Sequence, residues 1–153
     1  MRETIISDTS SLLAFHEIGE MPLLQRMYTT ITTTSTVQRE FEYPLPPWIF
    51  VREPLEEDVR CVQERFKLDP GEVTAIALAL SLPGSTLIID EAAGRRAARE
   101  LGIRMTGTLG ILLKAKNQGI IPAVRPLLQK LQAANFRMSE TLITAILTEA
   151  GEN

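Results

Sequence analysis

The sequence predicts an α/β sandwich built around a central, mostly parallel sheet of four to five strands. Three observations carry that expectation. Short β-branched or apolar runs, at 4–6, 29–33, 49–52, 86–89 and 103–106, alternate with stretches of helical spacing. Thr86 to Ile89 (TLII) is nearly all apolar, as a parallel strand buried on both faces should be. Two of the runs stop at an acid, Asp8 and Asp90, just where a helix begins.

Thr4, Ile5 and Ile6 read as a short buried strand, and Leu12, Leu13 and Phe15 open a helix over roughly 9–18, stopped by Gly19. A second short helix covers 21–27. After the strand at 29–33, Ser35 with Gln38 three residues on has the spacing of a capping box, and Val37, Glu40 and Phe41 share one face of the helix that follows. Three prolines in YPLPPW (43–48) forbid a regular helix there. Leu55 to Phe66 is amphipathic, with Val59, Val62 and Phe66 inward. Asp69, Pro70 and Glu72 combine cap, first-turn proline and third-position acid at the start of a helix that ends near Pro83 and Gly84. Glu91 leads into a helix ending at about Leu101, with Gly102 as terminator. Helices at 107–116, 123–133 and 139–150 complete the chain, the last striped by Leu142, Ile143, Ile146 and Leu147.

At 153 residues the chain fits one domain, 1–153, with the C-terminal helices (about 123–150) packed on or extending it. Hydrophobic content of 44% with 23% charged residues argues against disorder. No apolar run reaches the roughly 18 residues of a membrane span. The N-terminal MRETIISD lacks a signal-type apolar region, so a cytoplasmic protein is expected. Cys61 and His16 are the single residues of their types, which excludes an internal disulfide and a Cys/His zinc cluster. One histidine also cannot supply both acid and base for metal-free RNA cleavage. The net charge of −3 gives no global attraction to nucleic acid, so a polyanionic substrate would need a bound cation or a local basic patch.

Four carboxylates stand in related positions: Asp8 and Asp90 after strands, Glu40 on an inward helix face, and Glu72 in a first helical turn. Each has a structural explanation of its own: Asp8 and Asp90 as helix caps, Glu40 as a face acid, Glu72 as partner of Asp69. Right-handed crossovers nevertheless gather strand ends on one sheet edge and bring Asp8 toward Asp90. Clustered acids raise one another's pKa unless a cation sits among them. Carboxylate oxygens suit Mg2+ or Mn2+, which can orient a phosphodiester and activate water.

The runs IISDTSSLLAF (5–15), TVQREF (36–41), LDPGEVTAIALAL (68–80) and LIIDEAAGRRAARELGI (87–103) together resemble the PIN-domain family. TGTLGILLKAKNQGII (106–121) and the FRMSETL helix start (136–142) extend the match over nearly the whole chain. More narrowly, the chain resembles the prokaryotic branch that contains toxins of type II toxin–antitoxin pairs. The resemblance implies a PIN-like three-layer α/β/α sandwich and an Mg2+- or Mn2+-dependent ribonuclease. Its catalytic acids would be Asp8, Glu40, Glu72 and Asp90, with Asp8, Asp90 and Glu72 on the metal and Ser10 as the hydroxyl beside the first acid. Many PIN toxins carry aspartate where this chain has Glu72, and Glu91 stands ready to supplement Asp90. Arg95 is the favoured phosphate contact, with Lys114 and Lys116 on a later helix and the Thr108 N–H as a further anion donor; the alternatives are a solvated helix face for the cations and a tight strand-to-helix link at 106–108. An RNA substrate, a small antitoxin inserted over the acidic groove and a homodimer are the implied partners. The alternative is a non-catalytic PIN-fold module for protein or RNA binding, as in family members that lose acids, whereas all four positions here remain acidic. Trp48 has two readings, a base-stacking residue or a plug at the core edge.

Overall fold

The computed structural model describes residues 3–153; Met1 and Arg2, which open the N-terminal stretch read above, lie outside the described residues. The elements run β1 (Ile5–Ser7), α1 (Thr9–Glu17), α2 (Met21–Tyr28), β2 (Ile31–Thr33), α3 (Ser35–Phe41), β3 (Ile49–Val51), α4 (Glu56–Arg65), α5 (Pro70–Ser81) and β4 (Thr86–Ile88). They continue with α6 (Ala92–Glu100), β5 (Arg104–Thr106), α7 (Thr108–Asn117), α8 (Arg125–Ala133) and α9 (Glu140–Glu149). The strands form one sheet in the order β3-β2-β1-β4-β5, and every neighbouring pair is parallel. The sheet expected to be mostly parallel is wholly so.

Strand order dictates the layers. From β1 the chain moves outward through β2 to β3, and right-handed crossovers then hold α1, α2 and α3 on one face. The return from β3 to β4 runs in the opposite sense, so α4 and α5 cover the other face, and α6 follows them. Side chains alternate accordingly. Ile5, Ile31, Ile49 and Ile88 enter the core shared with Leu12, Phe15, Leu24 and Phe41, while Ile6, Leu87 and Ile89 enter the core shared with Val62, Ile76 and Leu78. A one-residue slip of β1 or β4 would exchange the two sets, so burial on both faces fixes the register. Ala75, Ala77 and Ala79 on α5 and Ala97 and Ala98 on α6 are buried, which lets these helices lie close to the sheet. Among the described residues no helix is long and apolar enough to cross a membrane.

One local reading changes. The cap of α3 is Thr34, whose hydroxyl accepts the Val37 N–H at 3.2 Å, one residue before the expected Ser35. Thr34 already has the extended backbone a cap needs, and Ser35 is instead gripped by Glu53, which accepts both its N–H (3.0 Å) and its hydroxyl (2.9 Å). Trp48 is half-buried against the first core, the plug of its two readings. Gly102 terminates α6 as expected, at φ +70.

The C-terminal helices close over the first core through Leu127, Leu128, Leu131, Ile146 and Leu147. Glu152 locks them down. Its carboxylate accepts the Val124 and Arg125 N–H groups at 2.7 and 3.0 Å at the start of α8, and pairs with Lys116 of α7 at 2.9 Å. Lys116 therefore serves the fold and not a phosphate, and Lys114 lies over the Tyr28 ring at 5.7 Å. These donors, first among them the Val124 N–H, hold the Glu152 carboxyl down to about 2. A depressed pKa stabilises the fold above the ordinary value of 4.5 and loses that contribution as pH falls toward the folded value. Glu152→Gln should therefore unfold at lower temperature than wild type at pH 7, with the two melting curves drawing together as pH drops from 4.5 toward about 2. Parallel curves across that interval would remove the clasp from the stability of the fold.

Candidate active site

The strand order reverses between β1 and β4, and in an open parallel sheet the crevice at that reversal is where ligands bind. Asp8 and Asp90 leave the carboxyl ends of these two strands. Asp8 is wholly buried, and its Oδ1 accepts the Ser11 N–H at 3.0 Å, so it does cap α1. The cap uses one oxygen only. Among the described residues Asp8 Oδ2 is buried without a hydrogen-bond partner.

Asp90 is held differently. Its Oδ1 accepts the Thr108 N–H at 2.8 Å, and its Oδ2 accepts the hydroxyls of Thr108 (2.6 Å) and Ser11 (3.0 Å). The anion received by the N-terminus of α7 is thus the chain's own Asp90, with both Thr108 donors spent on it. Ser11 gives its N–H to Asp8 and its hydroxyl to Asp90, so one residue spans the gap between the two strand ends. Ser10, the hydroxyl favoured from the sequence, is exposed and makes neither bond.

The other two acids arrive on helices. Glu72 is buried in the first turn of α5, where its Oε1 accepts the Asp69 N–H at 3.3 Å, the return half of the expected capping box. Its Oε2 is the second buried carboxylate oxygen without a partner. Glu40, at the end of α3, lies exposed but tethered, its Oε1 accepting the Thr9 hydroxyl at 2.5 Å. The Thr34 and Thr74 hydroxyls meet at 2.8 Å and tie α3 to α5.

A family model, DUF3368, described as a PIN domain, matches residues 4–152. The chain belongs to the PIN-domain family. Its fold is of the nuclease type. A search of the curated proteins finds no match.

Burial pushes the Asp8 carboxyl of this PIN domain up to about 7, the Ser11 N–H opposing the rise and the charges of Asp90 and Glu72 adding to it. Burial raises Glu72 as well, with the Asp69 N–H opposing and Asp69, Glu91 and Glu40 adding. Carboxylates in this state suit a hard divalent cation, since the two partnerless oxygens of Asp8 and Glu72 are of the donor type that Mg2+ and Mn2+ take. Among the described residues no three His, Cys, Asp or Glu side chains already stand at metal-holding distances. Asp90 has its oxygens turned to Thr108 and Ser11, and Glu91 is exposed at the start of α6 without capping it.

Glycines make room for three of the acids. A Cβ at Gly71 would lie 2.1 Å from Glu40 Oε1, one at Gly94 would lie 2.8 Å from Glu72 Oε2, and one at Gly107 would lie 2.8 Å from Asp90 Oδ1. Sequence reasoning passed over Gly71, Gly94, Thr9 and Ser11. Gly94 did carry a signal, because a glycine inside AAGRR costs a helix about 1 kcal/mol against alanine and calls for a close approach to explain it. Arg95 is half-buried, and its guanidinium donates to the Ile89 carbonyl at 2.8 Å, bracing the turn that carries Asp90. His16 packs against Tyr43 with ring centroids 3.9 Å apart, away from the acids.

A carboxyl that titrates near 7 in the fold, against 3.8 ordinarily, is still protonated where the unfolded chain has released its proton. Stability therefore declines as pH rises between those two values, and the loss is complete above the folded pKa. Asp8→Asn keeps an oxygen for the Ser11 N–H and removes the ionisation. With a chelator present, urea denaturation should find the variant equal to wild type near pH 4 and more stable at pH 8, by up to about 4 kcal/mol. Equal stability at both pH values would mean that Asp8 ionises in the fold without penalty.

Proposed function

We propose that this PIN domain is an Mg2+- or Mn2+-dependent endoribonuclease, acting through Asp8, Glu40, Glu72 and Asp90. The observation that carries this reading is the pair of buried, partnerless carboxylate oxygens, Asp8 Oδ2 and Glu72 Oε2, beside the crevice between β1 and β4. Buried polar atoms are nearly always partnered, and two such exceptions on neighbouring acids suit a cation shared between them.

The side chains divide the work. Asp8 and Glu72 offer the free oxygens, and Asp90 completes the acidic wall with an orientation set by Ser11 and Thr108. Glu40, held by Thr9, stands at the open side. A bound Mg2+ or Mn2+ would lower the pKa of the attacking water, neutralise the phosphodiester and stabilise the departing oxygen. Hydrolysis adds the elements of water across one P–O bond, and the acids give the reaction a defined locus while their negative charge keeps an unaccompanied phosphate out.

A toxin role in a toxin–antitoxin pair is part of the same proposal and rests on the motif resemblance, as do the small antitoxin segment over the acids and the homodimer. The experiment is digestion of a mixed RNA pool in Mn2+, with EDTA, Asp8→Asn and Asp90→Asn as controls and DNA in parallel. Wild type should cleave RNA. Both variants should lose more than the roughly 100-fold that removal of an outer partner costs at a metal site, with circular dichroism unchanged. Cleavage surviving both substitutions would remove the acids from the mechanism. No cleavage and no Mn2+ binding by calorimetry would favour the non-catalytic module.

A further inference from the structure

Two grooves flank the first turn of α6. One, about 690 Å³, contains Glu72 and Ala93 and has Lys67 as its single cationic side chain. The other, about 570 Å³, contains Asp90, Glu91 and Ala92 and has Arg137 as its single cationic side chain. Ala92 and Ala93 are consecutive, so the turn is the ridge between the grooves, with one candidate acid on either side. Each groove has the size of a small-ligand site.

The cations in these two grooves are free, whereas several elsewhere are engaged. Lys116 and Lys130 are in ion pairs with Glu152 and Glu20, Arg104 is paired with Glu3, and Arg95 is bound to a backbone carbonyl. Lys67 and Arg137 are exposed and, among the described residues, have neither an ion pair nor a side-chain hydrogen bond. They also come from unrelated loops. Lys67 lies between α4 and α5, and Arg137 follows Asn135, whose φ of 63 turns the chain between α8 and α9, while the Phe136 N–H fixes that turn on the Leu131 carbonyl at 2.9 Å. The ridge between them is a helix start without a side-chain cap, so its first-turn N–H groups also favour negative charge, and the partnerless Glu72 Oε2 lies against it at Gly94.

We propose that Lys67 and Arg137 are the two phosphate anchors of an RNA strand that crosses the ridge from one groove to the other, with the scissile phosphate over the acids. This rests on the nuclease reading above. A chain with net charge −3 cannot collect a polyanion by its overall field, so two point charges set on opposite sides of the acids fix the path of the strand. The anchors act on binding and not on the chemical step.

The test uses a fluorescent uridine 12-mer, reading cleavage KM and kcat in Mn2+ and Kd by anisotropy in EDTA. Lys67→Ala and Arg137→Ala should each raise KM and Kd about 3- to 10-fold with kcat within about 2-fold, and each should reduce the slope of log Kd against log salt by about 0.7. The double variant should combine the two effects, Arg137→Lys should restore most of the loss, and Arg26→Ala, outside both grooves, should change nothing. A uridine dinucleotide, whose one phosphate is the scissile one, should be indifferent to either substitution. Normal cleavage with unchanged KM, Kd and salt slope in both variants would overturn the anchors and leave the nuclease standing. An effect from one residue alone would overturn the crossing path. Wild type that neither binds nor cleaves the 12-mer would overturn the nuclease reading and the anchors with it.

Discussion

The constraint on which the structure depends is the burial of negative charge at the carboxyl edge of its central strands. A carboxylate taken out of water without compensation costs several kcal/mol, and this chain gathers acids where Asp8 is wholly enclosed. The surrounding residues answer by supplying donors to selected oxygens. Ser11 serves both strand-end acids, Thr108 gives two hydrogen bonds to Asp90, Thr9 gives one to Glu40, and the Asp69 N–H serves Glu72. The compensation is selective, since among the described residues one oxygen on Asp8 and one on Glu72 receive no donor.

Topology makes the gathering possible. The acids belong to four separate segments, and no local sequence pattern brings them together. The reversal of strand order beside β1 opens the crevice, and the change of crossover direction sends α3 and α5 to opposite faces while the start of α3 stays in reach of the first turn of α5 through Thr34 and Thr74. Glu53 then holds the start of α3 through Ser35, so the helix that carries Glu40 is fixed at its N-terminus and tethered at its C-terminal end by Thr9.

Much of this was legible in the chain because the relevant signals are local and periodic. β-Branched runs ending in acids gave the strands and their handover to helices, and the apolar run at 86–89 identified a parallel strand buried on both faces. The capping residues of α5 and the glycine after α6 were readable for the same reason. What escaped depends on approach in three dimensions. That Ser11 and not Ser10 faces Asp90 is a matter of helix phase at the first turn, which a boundary uncertain by one residue cannot fix. The displacement of the α3 cap to Thr34 is the same one-residue problem. Lys116 looked like a surface cation because its partner Glu152 lies 36 residues away, and the glycines beneath Glu40, Glu72 and Asp90 make sense only once the acids above them are known.

The uneven satisfaction of the acids separates rigid from responsive groups. Asp90 receives three hydrogen bonds, so its orientation is fixed independently of what enters the crevice. Asp8 receives its single N–H on one oxygen and is pushed up to about 7, so its charge answers to whatever enters the crevice. A cation there would favour ionisation and remove the penalty of burial, while an approaching phosphate alone would reinforce it. On the nuclease reading proposed above, an acidic pocket arranged in this way would admit a phosphate only together with positive charge, through residues whose unfavourable environment the fold maintains by packing both faces of the sheet.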